Sequence, residues 1–340
     1  MGVLCCKGSS VPVVQSSTVE NQTTSYSTNI DFCDLSVEQA KFNWTVGQKT
    51  KVDSYCETYH CINSDSGEFL ILRVFYLTHP KFSRTQSKQL KQELMLLKDL
   101  SHRHLSAYRS LILEKTKVGV FYEYSSGGNL KNLLKVYGKL KESVIKSYTI
   151  QLLKALDYLH SKGVILTDLN PSSVSLYENS LVKISKFKHC VLHYQKSLIV
   201  PLKKTFYLAP EVINFSPYKN SDIWSLGCLL IHLVTGKTPW HPLQGPQVLE
   251  LLRNSCKLPP MPGASPSFVS FVCNCLQRDA RLRPSASELM NHEFVSEQKK
   301  VSRKTESLSS TLTPDFTIKN FETIKSIIQE IDSSEGNSRT

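Results

Sequence analysis

The chain has no run of basic residues as long as six, no Cys-x-x-Cys pair, no internal repeat and no apolar stretch long enough to cross a bilayer. Each absence removes a class of function. Lys and Arg number 41 against 29 Asp and Glu, a formal charge of +12, yet the cations are scattered. That pattern argues against nucleic acid and leaves acidic protein partners or an anionic membrane face. Ten cysteines without paired spacing read as reduced cytosolic thiols rather than a disulfide framework. The start lacks the apolar core of a secretory signal. The longest nearly apolar run, Ile223 to Val234, reads as a buried helix. A cytoplasmic protein is the expectation.

What is present is enough for one large two-lobed domain: 340 residues, 40% of them hydrophobic and 9% aromatic. Residues 1–41 are rich in Ser, Thr, Asn and Gln without periodicity and are expected to form a disordered arm. Residues 42–296 carry the folded pattern. Residues 297–340 hold a Ser/Thr-rich linker and then Phe321, Ile324, Ile328 and Ile331, which fall on one face of a short amphipathic helix. That helix either packs on its own domain or docks a partner.

Within 42–296 the pattern changes once. Tyr55–Cys61 and Phe69–Leu77 read as strands around the turn Asn63–Gly67, and Val118–Tyr122 as another. Leu90, Leu94 and Leu97 then have helical spacing. After Gly128 the chain is mainly helical. Ser143 is the expected cap of a helix bearing Val144, Tyr148, Leu152, Ala155, Leu156 and Leu159 on one face, with Gly163 beyond its end. Strands first and helices afterwards imply an α+β fold with two separately cored lobes.

Three motifs in order carry a resemblance: Ala209-Pro210-Glu211, then Ser221-Asp222-Ile223-Trp224-Ser225-Leu226-Gly227, then Arg283-Pro284. Together with the hinge-like Phe121–Leu130, they are similar to the landmarks of the protein kinase superfamily, and the helices after Lys131 resemble the mitogen-activated protein kinase kinase kinase group. The resemblance implies a bilobal fold with a small β-rich N-lobe and a larger helical C-lobe. It assigns structural roles to Glu93, Glu211, Asp222 and Arg283, with Asp222 supporting the catalytic loop through its backbone amides.

The family's catalytic parts can be compared one at a time, because phosphoryl transfer rests on positioning and charge neutralisation. The three glycines that let backbone amides approach the phosphates fall at Lys51, Asp53 and Cys56. The strand lysine is Arg73, a planar fork and not an equivalent phosphate ligand, although a bidentate pair with Glu93 would hold an active-like pose. The catalytic loop reads Leu166-Thr167-Asp168-Leu169-Asn170-Pro171-Ser172-Ser173. It keeps the base position Asp168, while Leu166 replaces histidine, Asn170 the loop lysine and Ser173 the metal-binding asparagine. Asp168 is either that base or a loop-capping carboxylate. The Asp-Phe-Gly motif reads Lys186-Phe187-Lys188, so a cation stands where a Mg²⁺ ligand is required. Ile71, Thr58, Ser175 and Tyr122 occupy the positions around the adenine ring and are less suited to a flat apolar ligand.

These departures lead to the expectation of a catalytically inactive relative, without cofactor or metal, that binds and regulates an active protein kinase or its substrate. Two alternatives remain: a weak, atypical serine/threonine kinase using Asp168 as base, and a purely structural scaffold tethered to a membrane. Gly2 with Cys5 and Cys6 resembles an acylation signal, myristate on the glycine and palmitate on the cysteines, which would anchor the chain to the cytoplasmic face of a membrane. Thr205 and Ser197 are candidate sites for modification by another kinase.

Overall fold

The computed structural model describes residues 40–192 and 202–296. The proposed acyl sites Gly2, Cys5 and Cys6, the tail helix and Ser197 lie outside them. The described residues form two compact units.

The first unit runs to Lys88 and resumes over Arg109–Tyr124. It is a five-stranded sheet of β1 (Trp44–Asp53), β2 (Cys56–Asn63), β3 (Phe69–Tyr76), β4 (Tyr108–Leu113) and β5 (Lys117–Glu123), ordered β1-β2-β3-β5-β4. The turn between β2 and β3 falls where the sequence places it. The Asn63 side chain accepts from the N–H groups of Asp65 and Ser66, and the Asn63 carbonyl accepts from Gly67. Strand alternation then divides β3 in two. Leu70 and Leu72 are buried with Cys61 and Phe121, and Phe42, Trp44 and Val46 pack against that cluster. Ile71, Arg73 and Phe75 face the other way.

The second unit comprises Gln89–Tyr108 and the described residues from Ser125 on. Helix α1 (Arg84–Leu97) enters it at Gln89. It continues with α2 (Leu130–Tyr137), α3 (Glu142–Ser161), β6 (Val164–Ile165), a 3₁₀ turn Pro171–Ser173, β7 (Val174–Leu176), β8 (Val182–Ile184) and β9 (Val191–Leu192). After a second 3₁₀ turn, Leu202–Tyr207, come α4 (Pro210–Ile213), α5 (Ser221–Thr235), α6 (Gly245–Asn254), α7 (Pro266–Cys275) and α8 (Ala286–Leu289).

Helix α5 is buried from Ser221 to Ile231, matching its nearly apolar sequence. Gly227 lets α7 approach it, since a Cβ there would lie 2.8 Å from Cys275 Cβ. Helix α3 buries Tyr148, Leu152, Ala155, Leu156 and Leu159 as its spacing implies. Two details differ. It starts at Glu142 rather than after Ser143, because Glu142 accepts from the backbone and hydroxyl of Ser265 and is thereby fixed as the first turn. Val144 is exposed. Gly163, at φ 72°, adopts the left-handed conformation that ends the helix cheaply, and its N–H bonds the His160 carbonyl. The α+β division is thus observed, with a β-rich smaller unit and a larger helical one.

Candidate active site

In the first unit, register brings the residues of interest onto one face. Arg73 lies opposite Thr58 on β2 and Val120 on β5, while Ile71 lies opposite Tyr122 and Phe75 opposite Cys56. The Arg73 guanidinium sits over two rings, 5.1 Å from the Phe75 centroid and 5.8 Å from that of Tyr122. It also bonds the Cys56 thiol. Burial raises the pKa of that thiol and Arg73 opposes the rise. Lys51 and Asp53 stand at the end of β1, pair with one another at 2.9 Å and are exposed; Cys56, at the third glycine position, is buried.

In the second unit, Asp222 organises the catalytic loop. It is fully buried at the start of α5, and its carboxylate accepts from the N–H groups of Leu166 and Thr167, each at 2.9 Å, and from His160 Nε2 at 2.9 Å. A buried carboxylate must have such donors. Thr167 adopts φ 58°, unusual for a β-branched residue, and its hydroxyl donates to the His189 carbonyl at 2.7 Å. The turn is therefore held from both sides.

Asp168 follows directly and is partly exposed. Its Oδ1 accepts from the Asn170 side-chain amide at 2.7 Å, and the same amide reaches the Asp168 carbonyl. Capping of the next turn falls to Asn170, whose Oδ1 accepts from Ser172 N–H at 3.0 Å. Asp168 is thus engaged within its own loop, through the amide of the residue two positions on. Ser173 is buried. Its hydroxyl accepts from Asn170 N–H and donates to the Asn170 carbonyl, both at 2.9 Å. Phe187 is buried between Lys186 and Lys188, which are both exposed. Ser175 donates to Ser185 at 2.7 Å. Glu93 is buried on α1.

Mg²⁺ requires hard oxygen ligands. At the two positions that supply them in the family pattern, this chain has Ser173, whose hydroxyl is engaged on both sides, and Lys186, a cation. These residues do not fit the ion. Among the described residues no cluster of three His, Cys, Asp or Glu could hold a metal.

Pro210 opens α4, and Glu211 accepts from Arg283 Nη1 at 2.7 Å and from the Ser221 hydroxyl at 2.7 Å. Thr205 is buried, which corrects its reading as an accessible modification site. Sequence reasoning missed His160 as the third donor to Asp222. The signal was its place in the last turn of α3, directly before β6. No helix among the described residues is long and apolar enough to cross a membrane.

Comparison with known proteins supplies the wider context. The family model for the protein kinase domain matches residues 52–295. Over 260 residues the chain is 34% identical to mitogen-activated protein kinase kinase kinase YODA of Arabidopsis thaliana, covering 74% of this chain and 29% of that one. Mitogen-activated protein kinase kinase kinase 2 of the same plant is 31% identical over 76% of this chain and 42% of its own length. The MAP kinase kinase kinase mkh1 of Schizosaccharomyces pombe is 29% identical over 76% and 25%. The chain thus spans less than half the length of these relatives. These names overturn the expectation that the chain is not an enzyme: the relatives are named as kinases, which favours an enzyme. That expectation rested on the replaced ligands taken together; phosphoryl transfer also rests on positioning, and the base position Asp168 is kept.

Proposed function

This chain belongs to the protein kinase family, and on that premise we propose that it is an atypical serine/threonine protein kinase of the mitogen-activated protein kinase kinase kinase type, acting in signal transduction on a protein substrate that is itself a kinase. The observation that supports this most is the anchoring of the catalytic loop by Asp222, with Asp168 held beside it. In this role the Asp168 carboxylate receives the proton of the substrate hydroxyl as its oxygen bonds to the γ-phosphorus of ATP, while the bond from that phosphorus to the bridging oxygen breaks and ADP leaves. Asn170 steadies the carboxylate through its amide and takes the place of the loop lysine, a neutral donor for a charged one. The reading is tested with the purified full chain, labelled ATP and a MAP kinase kinase as substrate. Asp168→Asn should lower transfer by about 10²-fold or more. Equal rates for wild type and variant would sink the assignment.

A second reading concerns binding. Ser173 and Lys186 depart from the family's ligand pattern while the packing around Asp222 and Arg283 is kept. This favours an added role as regulator or scaffold of another kinase in the same cascade. Assaying that kinase with and without this chain tests it. An unchanged rate at saturating chain removes the regulatory role.

A further inference from the structure

We propose that the helical unit carries a docking site for a phosphorylated side chain of a partner peptide, centred on Arg253 and Arg278 and separate from the catalytic loop. A cavity of about 360 Å³ lies where α4, the last turn of α6 and the segment after α7 meet. Its lining contains two carboxylates and three guanidiniums, and the pairing among them decides what it can bind.

Glu211 is neutralised from behind by Arg283, whose side chain has no exposed surface. Asp279 is neutralised by Arg281, which reaches it through Nε and Nη2 at 3.1 and 2.8 Å. Arg253 and Arg278 remain, and among the described residues neither has a carboxylate partner. Arg278 spends one terminal nitrogen, Nη2, on the Leu252 carbonyl at the end of α6. Its other, Nη1, is inaccessible to solvent and has no hydrogen-bond partner. A buried guanidinium N–H without an acceptor is costly, and an oxyanion is the acceptor that suits it.

Charge and rim then narrow the ligand. Two uncompensated guanidiniums match a phosphomonoester of about −1.5 to −2, whereas a carboxylate would leave one cation unmatched. Tyr218 lines the cavity and is 45% exposed, and Leu282, next in the chain to Arg281, is 72% exposed. Free phosphate has no use for such a rim, but a peptide with an apolar residue beside its phosphoserine can cover it.

Fluorescence anisotropy on the full chain tests this without any phosphoryl transfer. The probe is a short labelled peptide carrying phosphoserine next to leucine. It should bind at least about 10-fold more tightly than its unphosphorylated form, and inorganic phosphate should displace it only at far higher concentration. Arg253→Gln and Arg278→Gln should each weaken binding about 10-fold, while Lys139→Gln, an exposed cation elsewhere in the unit, should not. Arg253 is exposed and has no structural bond, so its variant stays informative if Arg278→Gln fails to fold. Equal affinity for the unphosphorylated peptide, or unchanged binding by Arg253→Gln, overturns the proposal. So does displacement by inorganic phosphate, or by a single-stranded oligonucleotide, at concentrations matching the phosphopeptide.

Discussion

Arg283 donates to the carbonyls of Gln277, Asn220 and Arg278 as well as to Glu211, and its guanidinium lies 5.3 Å from the Trp224 ring. Desolvating a charge this far is tolerable because every face has an acceptor or a π-surface. Removing the cation leaves Glu211 with only the Ser221 hydroxyl among its side-chain donors and takes a donor from several carbonyls. Arg283→Met should therefore cost about 3–5 kcal/mol in urea denaturation, and Glu211→Gln in the same background should cost little more. Full additivity of the two would contradict the pairing. Much of this was legible, since Glu211 and Arg283 sit in motifs that resemblance marks as structural. The Asp168–Asn170 bond was not. Asn170 reads in the sequence as a lost lysine, and nothing in its identity says that its amide turns back onto the preceding carboxylate.

Among the elements, the β1-β2-β3 ribbon is tied by one carboxylate. Glu57 on β2 accepts from Lys49 on β1 at 2.9 Å, from Tyr59 beside it and from Tyr76 on β3 at 2.6 Å. Those three donors bring its pKa down from 4.5 to about 2, the tyrosines contributing most. A carboxylate depressed in the folded state stabilises fully above its unfolded value. The contribution is lost as pH falls from about 4.5 toward about 2. Glu57→Gln should be less stable than wild type by about 1–2 kcal/mol at pH 7, and the gap in urea midpoints should close as pH drops below 4.5. A gap that stays constant with pH would refute the role of ionisation. Strand order and the buried face of α3 could be read from periodicity, because those patterns are local. The start of α3 could not, because the Ser265 that fixes Glu142 lies 123 residues away.

Over the whole molecule, the +12 charge and the uncompensated arginines of the helical unit point to acidic partners. Association with the proposed acidic partner should weaken as ionic strength rises from about 0.05 to 0.3 M, through a slower on-rate. Stopped-flow association in graded salt checks this, and a salt-independent on-rate would oppose it. The family was legible from motif order. The proposed activity was not, since counting replaced ligands leaves out what positioning supplies. The cavity at Arg253 and Arg278 was invisible for a simpler reason: its cations are separated in sequence and their partners decide which are spare.

The grip of Asp222 on the N–H groups of Leu166 and Thr167 spans 56 and 55 residues. During synthesis the loop bearing Asp168 leaves the ribosome well before the carboxylate that shapes it. Until α5 has emerged, Leu166 and Thr167 lack their acceptor, and the left-handed turn at Thr167 is held from one side alone, by its hydroxyl on the His189 carbonyl. The loop bearing Asp168 is therefore shaped only once α5 has been made, and a chain truncated before Asp222 would contain Asp168 without its anchored loop.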